Sequence, residues 1–261
     1  MIFLADYTNR VQEINDYFDF IFVIDKSKNI NLEDSIFEDE ERLNQFNLSH
    51  LKNTSKYPFS SELKKTLKAN AYLLLYNLIE GSVTAGIDAI FLAINQSDLK
   101  LNNLKKEMRE LYLHFNMKPD SENQQQSLRI KDRTQLINRF NSLMDKKVEF
   151  KSKNKNNDIK IGYQAYLEKM GGEISGNIDA KKLEELAKKY GFTLPTTTIA
   201  NELLIIKNKR NQLAHGEITF SEAGKDKSIE EMIALKNTVT QYFNSLMNNI
   251  KNYIENEEFK V

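Results

Sequence analysis

The sequence predicts an all-α fold of long antiparallel helices, and two observations carry that prediction. Only three prolines, Pro58, Pro119 and Pro195, occur in 261 residues. Apolar residues also recur at intervals of three and four through most of the chain, the period of an amphipathic helix. The prolines are expected between helices. Composition shows no sharp break, so a single domain is expected in four parts: an N-terminal helix and acidic loop (1–55), core helices (56–150), an insertion (151–195), and a motif-bearing helix followed by a C-terminal helix (196–261).

Taken in order, Val11, Ile14, Phe18, Ile21 and Phe22 form one stripe of a first helix over residues 5–24. Glu33, Asp34, Glu38, Asp39, Glu40 and Glu41 then read as a solvated acidic loop. Ser60 or Ser61 is placed to cap a central core helix, which carries Leu63, Leu67, Leu74, Leu78 and Ile79 and continues through Val83, Ile87, Ile90, Phe91 and Ile94. Gly86, with Ala85, Ala89 and Ala93, keeps its second half thin enough for another helix to approach. Asn77, Glu80, Thr84 and Asp88 share one polar stripe, which suits either a solvent-facing surface or a cleft or subunit contact.

Leu101, Leu104, Met108, Leu111, Leu113 and Phe115 predict a return helix over Ser97 to Phe115. Leu128, Ile130, Leu136, Ile137, Phe140, Leu143 and Met144 predict another over Ser127 to Phe150, with Arg129, Lys131, Arg133 and Arg139 on a basic exposed face. The lysine-rich run Lys151 to Asp158 has no apolar anchor and reads as a loop able to contact phosphate. Ile159 to Tyr166 alternates like a short strand, and Gly171, Gly172 and Gly176 mark turns, so the insertion is expected to hold a small hairpin.

Asp179 is an N-cap for a helix over Ala180 to Tyr190 that Gly191 stops. The next helix, Thr198 to Ala214, carries Leu203, Leu204, Ile206 and Leu213 and is ended by Gly216. A polar loop through Gly224 leads to Ser228-Ile229-Glu230-Glu231, a capping box. Beyond it Met232, Leu235, Val239, Phe243, Leu246, Ile250 and Tyr253 keep the helical period almost to the end of the chain.

Composition narrows the functional classes. A hydrophobic fraction of 40% and a charged fraction of 28% fit a folded soluble protein, not a disordered one. Cysteine is absent and His50, His114 and His215 have no ligand spacing, so neither a metal site nor a cofactor is expected. With 37 basic and 37 acidic residues there is no overall pull on nucleic acid, and such contact must come from a local patch. Asp6, Glu13 and Asp16 interrupt what would otherwise resemble an export signal. Asn77, Glu80 and Asp88 interrupt the apolar run Ala71 to Ile94, which reads as a buried helix and not a membrane span. A cytoplasmic protein without membrane contact is expected.

The stretch with chemistry in it is Arg210-Asn211-Gln212-Leu213-Ala214-His215-Gly216. Asn211 and His215 are four apart and share a helix face, and Arg210 has the reach to join them. His215 is the proton carrier, placed where last-turn carbonyls concentrate partial negative charge. Arg210 offers a planar guanidinium that matches phosphate oxygens. Asn211 is suited to orient the phosphate or the imidazole, and Lys207 and Lys209 are expected substrate contacts. Imidazole and guanidinium together suffice for metal-free RNA cleavage, because the ribose 2′-hydroxyl of RNA is itself the nucleophile. An Arg and a His at this spacing near a helix end are also common without any function, the His pairing with terminal carbonyls.

The run Arg210-Asn211-x-x-x-His215 resembles the R-x(4–6)-H signature of HEPN (higher eukaryotes and prokaryotes nucleotide-binding) domains. Residues 73–91 (LLLYNLIEGSVTAGIDAIF), 175–192 (SGNIDAKKLEELAKKYGF) and 207–232 (KNKRNQLAHGEITFSEAGKDKSIEEM) resemble a bacterial subfamily, the MAE-like HEPN proteins. The resemblance implies an all-α HEPN bundle, metal-independent ribonuclease activity on RNA, and a homodimer with two signatures facing one cleft. It also implies a place in toxin–antitoxin, abortive-infection or restriction systems, with an antitoxin or another defence protein as partner. Glu80 falls where an accessory polar residue is expected. Two other readings compete: a HEPN protein that has lost catalysis and serves as an interaction or immunity partner, and a DNA-binding helix-turn-helix over Lys182 to Leu204.

Overall fold

A computed structural model describes residues 1–31, 56–117, 133–153, 158–171 and 177–261. Among them the fold is all-α: nine α-helices with two short hairpins. The helices are α1 (Ile2–Lys26), α2 (Ser61–Gln96), α3 (Lys106–Met117), α4 (Arg133–Met144), α5 (Tyr163–Met170), α6 (Ala180–Tyr190), α7 (Ala200–Ala214), α8 (Phe220–Ala223) and α9 (Ile229–Glu255). Strands β1 (Asn29–Asn31) and β2 (Lys56–Pro58) pair antiparallel, as do β3 (Lys151–Lys153) and β4 (Ile159–Ile161). The acidic loop, Pro119, the first residues of the helix expected from Ser127, and Gly172 and Gly176 lie outside the described residues.

The chain divides into two compact units. The first comprises Met1–Thr8, Leu78–Leu204 and Val239–Val261. Its core is aromatic: Phe91 of α2 lies 4.5 Å from Phe150, 5.5 Å from Tyr163, 5.4 Å from Tyr166 and 5.7 Å from Tyr190, ring centre to ring centre. All five rings are fully buried. The expected close approach to the thin half of α2 is found at Gly86, where a Cβ would stand 2.6 Å from Ile250 Cδ1 of α9. Asp179 caps α6 by accepting from the Lys182 N–H at 2.9 Å, and Gly191 ends it with φ +79°.

Several expectations in this unit are corrected. No single helix spans Ser97 to Phe115: a 3₁₀ turn, Leu101–Asn103, precedes α3, which starts at Lys106. The backbone here serves the C-terminal tail instead, with Lys105 N–H donating to the Phe259 carbonyl at 2.8 Å and Val261 N–H to that of Asn103 at 3.0 Å. The helix predicted to reach Phe150 ends at Met144. Asn95 of α2 explains the extended segment that follows: its Oδ1 accepts from the Phe150 N–H at 2.7 Å and its Nδ2 donates to the Phe150 carbonyl at 3.0 Å.

Lys151–Lys153, read as loop, is a strand whose partner is Ile159–Ile161, and the residues after it form α5 in place of a strand reaching Tyr166. Gly162 permits that switch with φ +67°. The polar stripe of α2 is not uniformly solvent-facing, because half-buried Asp88 accepts from the Tyr163 N–H at 3.2 Å and holds the first turn of α5.

The second unit comprises Asn9–Asn77 and Ile205–Thr238. Ser60 caps α2, its Oγ accepting from the Leu63 N–H at 3.0 Å. Tyr17 of α1 donates to the Leu67 carbonyl at 2.7 Å, and Lys64 of α2 donates to the carbonyls of Asp25 and Ser27, both at 2.7 Å. The capping box forms as read, with Ser228 N–H to Glu231 Oε2 at 2.7 Å and Glu231 N–H to Ser228 Oγ at 3.1 Å. The loop before it is only partly a loop. Thr219 and Glu222 make a second capping box that starts α8, a single turn hidden in a polar stretch.

Helix α2 is the one helix among the described residues long and apolar enough to cross a membrane. Half of its most apolar window is buried inside the protein.

Candidate functional site

The residues singled out by spacing fall in the second unit, apart from Glu80, which is half-buried in the part of α2 that belongs to the first. Helix α7 presents Lys207, Lys209, Arg210 and Asn211, all half-buried. It is anchored by Leu213, which joins Ala69 of α2 and Ala223 of α8 in a buried cluster against which Leu73 and Ile218 pack. Gly224 brings α8 onto α2 so closely that a Cβ there would lie 1.9 Å from the Lys65 carbonyl oxygen. Lys68 of α2 donates to the Lys227 carbonyl at 3.0 Å and fastens the far end of the same loop.

The end of α7 is a Schellman motif. Glu217 N–H donates to the Gln212 carbonyl at 2.9 Å and Gly216 N–H to that of Leu213 at 3.2 Å, with Gly216 at φ +69°. His215 is the residue just before that glycine, outside the regular helix and not within its last turn. Its backbone N–H donates to the Asn211 carbonyl at 2.9 Å, which fixes its Cα, while its side chain is exposed. A fixed backbone with an imidazole reaching into solvent is a suitable mounting for a group that must meet a ligand.

Arg210 is held on two sides. Its Nη1 donates to Asn211 Oδ1 at 3.0 Å, and its guanidinium carbon lies 4.8 Å from the ring centre of Tyr76 in α2. Tyr76 was not singled out by sequence. It is 3% exposed, and in a helix already rich in buried apolar residues nothing distinguishes a ring that carries a cation from one that fills the core.

Lys209, an expected substrate contact, already has a partner within the chain. It pairs with Asp226 in the loop after α8, a partly exposed ion pair of small worth, and the pair neither supports nor opposes a phosphate contact. The same acid and Glu231 add to the effect of burial on Tyr72, whose hydroxyl is pushed up to about 12 and stays protonated at neutral pH.

Among the described residues no three histidine or carboxylate side chains converge to hold a metal ion. The first unit has an open groove of about 600 Å³, lined among others by Lys106, Glu110, His114, Glu185 and Lys188, which contains none of the residues above. The helix-turn-helix reading meets a geometric obstacle, since residues 191–199 separate α6 from α7 where that motif uses a turn of about three or four residues.

The sequence matches the family model described as MAE_28990-like HEPN over residues 3–259. No curated protein and no solved structure matches the chain.

Proposed function

The chain belongs to the MAE_28990-like HEPN family, and from that premise we propose that it is a metal-independent endoribonuclease in which Arg210 and His215 are the catalytic residues and Asn211 orients the guanidinium. One observation carries the reading: a guanidinium held by Asn211 in the last stretch of α7 and a fixed, exposed imidazole just beyond its end stand five residues apart in one short run. An imidazole so placed can exchange protons with a bound ligand, and an Arg so constrained can present N–H donors to phosphate with little ordering still to do.

The reaction that these groups serve is transfer of the phosphodiester onto the neighbouring ribose oxygen. The 2′-oxygen attacks phosphorus as its proton passes to an imidazole, the bond from phosphorus to the 5′-oxygen breaks, and that oxygen receives a proton. The products are a 2′,3′-cyclic phosphate and a 5′-hydroxyl, and DNA is inert for want of the 2′-hydroxyl. Arg210 neutralises the charge that accumulates on the phosphoryl oxygens in the transition state. Removing and delivering a proton are two tasks, and a homodimer that brings two copies of His215 to one cleft fulfils both. Lys207 and Lys209 are the candidates for contact with the phosphate backbone, and we assign Glu80 an accessory role only. As a member of this family the protein is best understood as a toxin or anti-phage effector restrained by a partner protein.

The test is cleavage of total RNA in EDTA by the wild type, Arg210→Ala and His215→Ala, with the end groups identified. The wild type is expected to leave cyclic phosphates. His215→Ala is expected to lose about 10²–10⁴-fold in rate and Arg210→Ala about 10²–10³-fold. Cleavage that EDTA abolishes, or that survives both substitutions, defeats the proposal. Expression should arrest growth, and His215→Ala should relieve the arrest.

A further inference from the structure

We infer that Tyr76 is a positioning residue for Arg210, holding the guanidinium so that it meets the scissile phosphate already oriented; this rests on the nuclease reading above. Three observations point the same way. The ring is 3% exposed, so its own position is set by core packing. Arg210, from a different helix, brings its guanidinium carbon to 4.8 Å from the ring centre, inside the range in which the negative face of an aromatic ring attracts a cation. Asn211 then takes one N–H of the same guanidinium at 3.0 Å, which fixes its rotation about that contact.

A long flexible cation is in this way confined by a buried ring and a neighbouring amide before substrate arrives. An unconfined arginine would have to lose that rotamer freedom in the transition state, and the loss would appear as a slower chemical step. The rate should therefore depend on the π face of Tyr76 and not on its volume. Tyr76→Phe keeps that face. Tyr76→Met fills similar space without it.

The experiment reads geometry and rate separately. In proton NMR of the full chain, the Arg210 side-chain signals, assigned by their loss in Arg210→Lys, should lie upfield in the wild type and Tyr76→Phe, and return to the ordinary position in Tyr76→Met. In RNA cleavage, Tyr76→Phe should match the wild type, while Tyr76→Met should lose about fivefold to tenfold in kcat with KM changed less than about twofold. In an Arg210→Ala background the Met substitution should add no further loss.

Unshifted Arg210 signals in the wild type, or an unchanged kcat in folded Tyr76→Met, overturns the inference. If the wild type cleaves no RNA, the nuclease reading fails by itself and the Arg210 signals still decide whether Tyr76 holds the guanidinium. If Tyr76→Met does not fold, the shift in the wild type and its retention in Tyr76→Phe decide.

Discussion

Two glycines on either side of α8 do different work, and substitution separates them. Gly216 has φ +69°, and a Cβ added to it meets nothing within 4 Å, so alanine there is penalised by backbone conformation alone. That penalty is about 1–2 kcal/mol for an L-residue in the left-handed region. Gly224 is in ordinary helical territory at φ −77°, but its Cβ would fall 1.9 Å from the Lys65 carbonyl oxygen, a collision with backbone that no rotamer relieves. Gly216→Ala is therefore expected to lower the urea midpoint modestly, and Gly224→Ala to lower it more, with a loss of unfolding free energy of about 3 kcal/mol or more. If His215 acts in cleavage, Gly216→Ala should also lose more activity than its stability loss explains, because the cap that aims the imidazole is displaced. A smaller effect at Gly224 than at Gly216 would contradict the close approach of α8 to α2.

At the scale of elements, Asp88 joins α2 to the first turn of α5, and its titration predicts a pH dependence. Burial raises the pKa of Asp88 above its ordinary 3.8 and outweighs the lowering effect of the Tyr163 N–H. The folded state thus holds the proton longer than the unfolded state does. Stability falls as pH rises from the ordinary value through the raised one, and the cost persists at neutral pH. Asp88→Asn keeps an oxygen to accept the Tyr163 N–H and removes the buried charge. It is expected to raise stability at pH 7, and with it Tm, the free-energy gain being no more than about 1 kcal/mol given the partial exposure of the side chain, and the gain should vanish below about pH 3.8. Thermal unfolding against pH for both proteins checks this. A variant less stable than the wild type by the same amount at every pH would mean that the carboxylate is net favourable.

How far the elements could be read from sequence follows from the reach of the contacts that bound them. The starts of α2, α6 and α9 were legible because Ser60, Asp179 and Ser228 each bond a backbone group three residues on, and such signals are local. The end of α4 and the start of α3 were not. They depend on Asn95 reaching Phe150 and on the tail at Phe259 reaching Lys105, partners that periodicity does not contain. The candidate site divides in the same way. Arg210, Asn211 and His215 lie within one short run, whereas Tyr76 under Arg210 and Asp226 on Lys209 come from elsewhere in the chain.

At the scale of the whole molecule, one signature per chain sets the stoichiometry of the proposed reaction. The Arg210-to-His215 signature supplies one histidine per chain, His215. A proton acceptor and a proton donor at one phosphate are then most simply the same residue from two chains. That proposal has a quantitative consequence. If one chain sufficed, co-expressing wild type and His215→Ala in equal amounts would halve the cleavage rate per chain. If each site needs both histidines, only dimers of two wild-type chains are active, and the rate falls to roughly a quarter of the all-wild-type value under random assembly. Varying the mutant fraction should therefore trace a squared dependence on the wild-type fraction. Sedimentation should show that the assembly stays dimeric throughout, since His215 is exposed and its loss leaves the backbone bonds of the α7 cap in place. A linear dependence, or a monomer that cleaves at full rate, would transfer both proton steps to a single chain and require a second proton carrier other than His215.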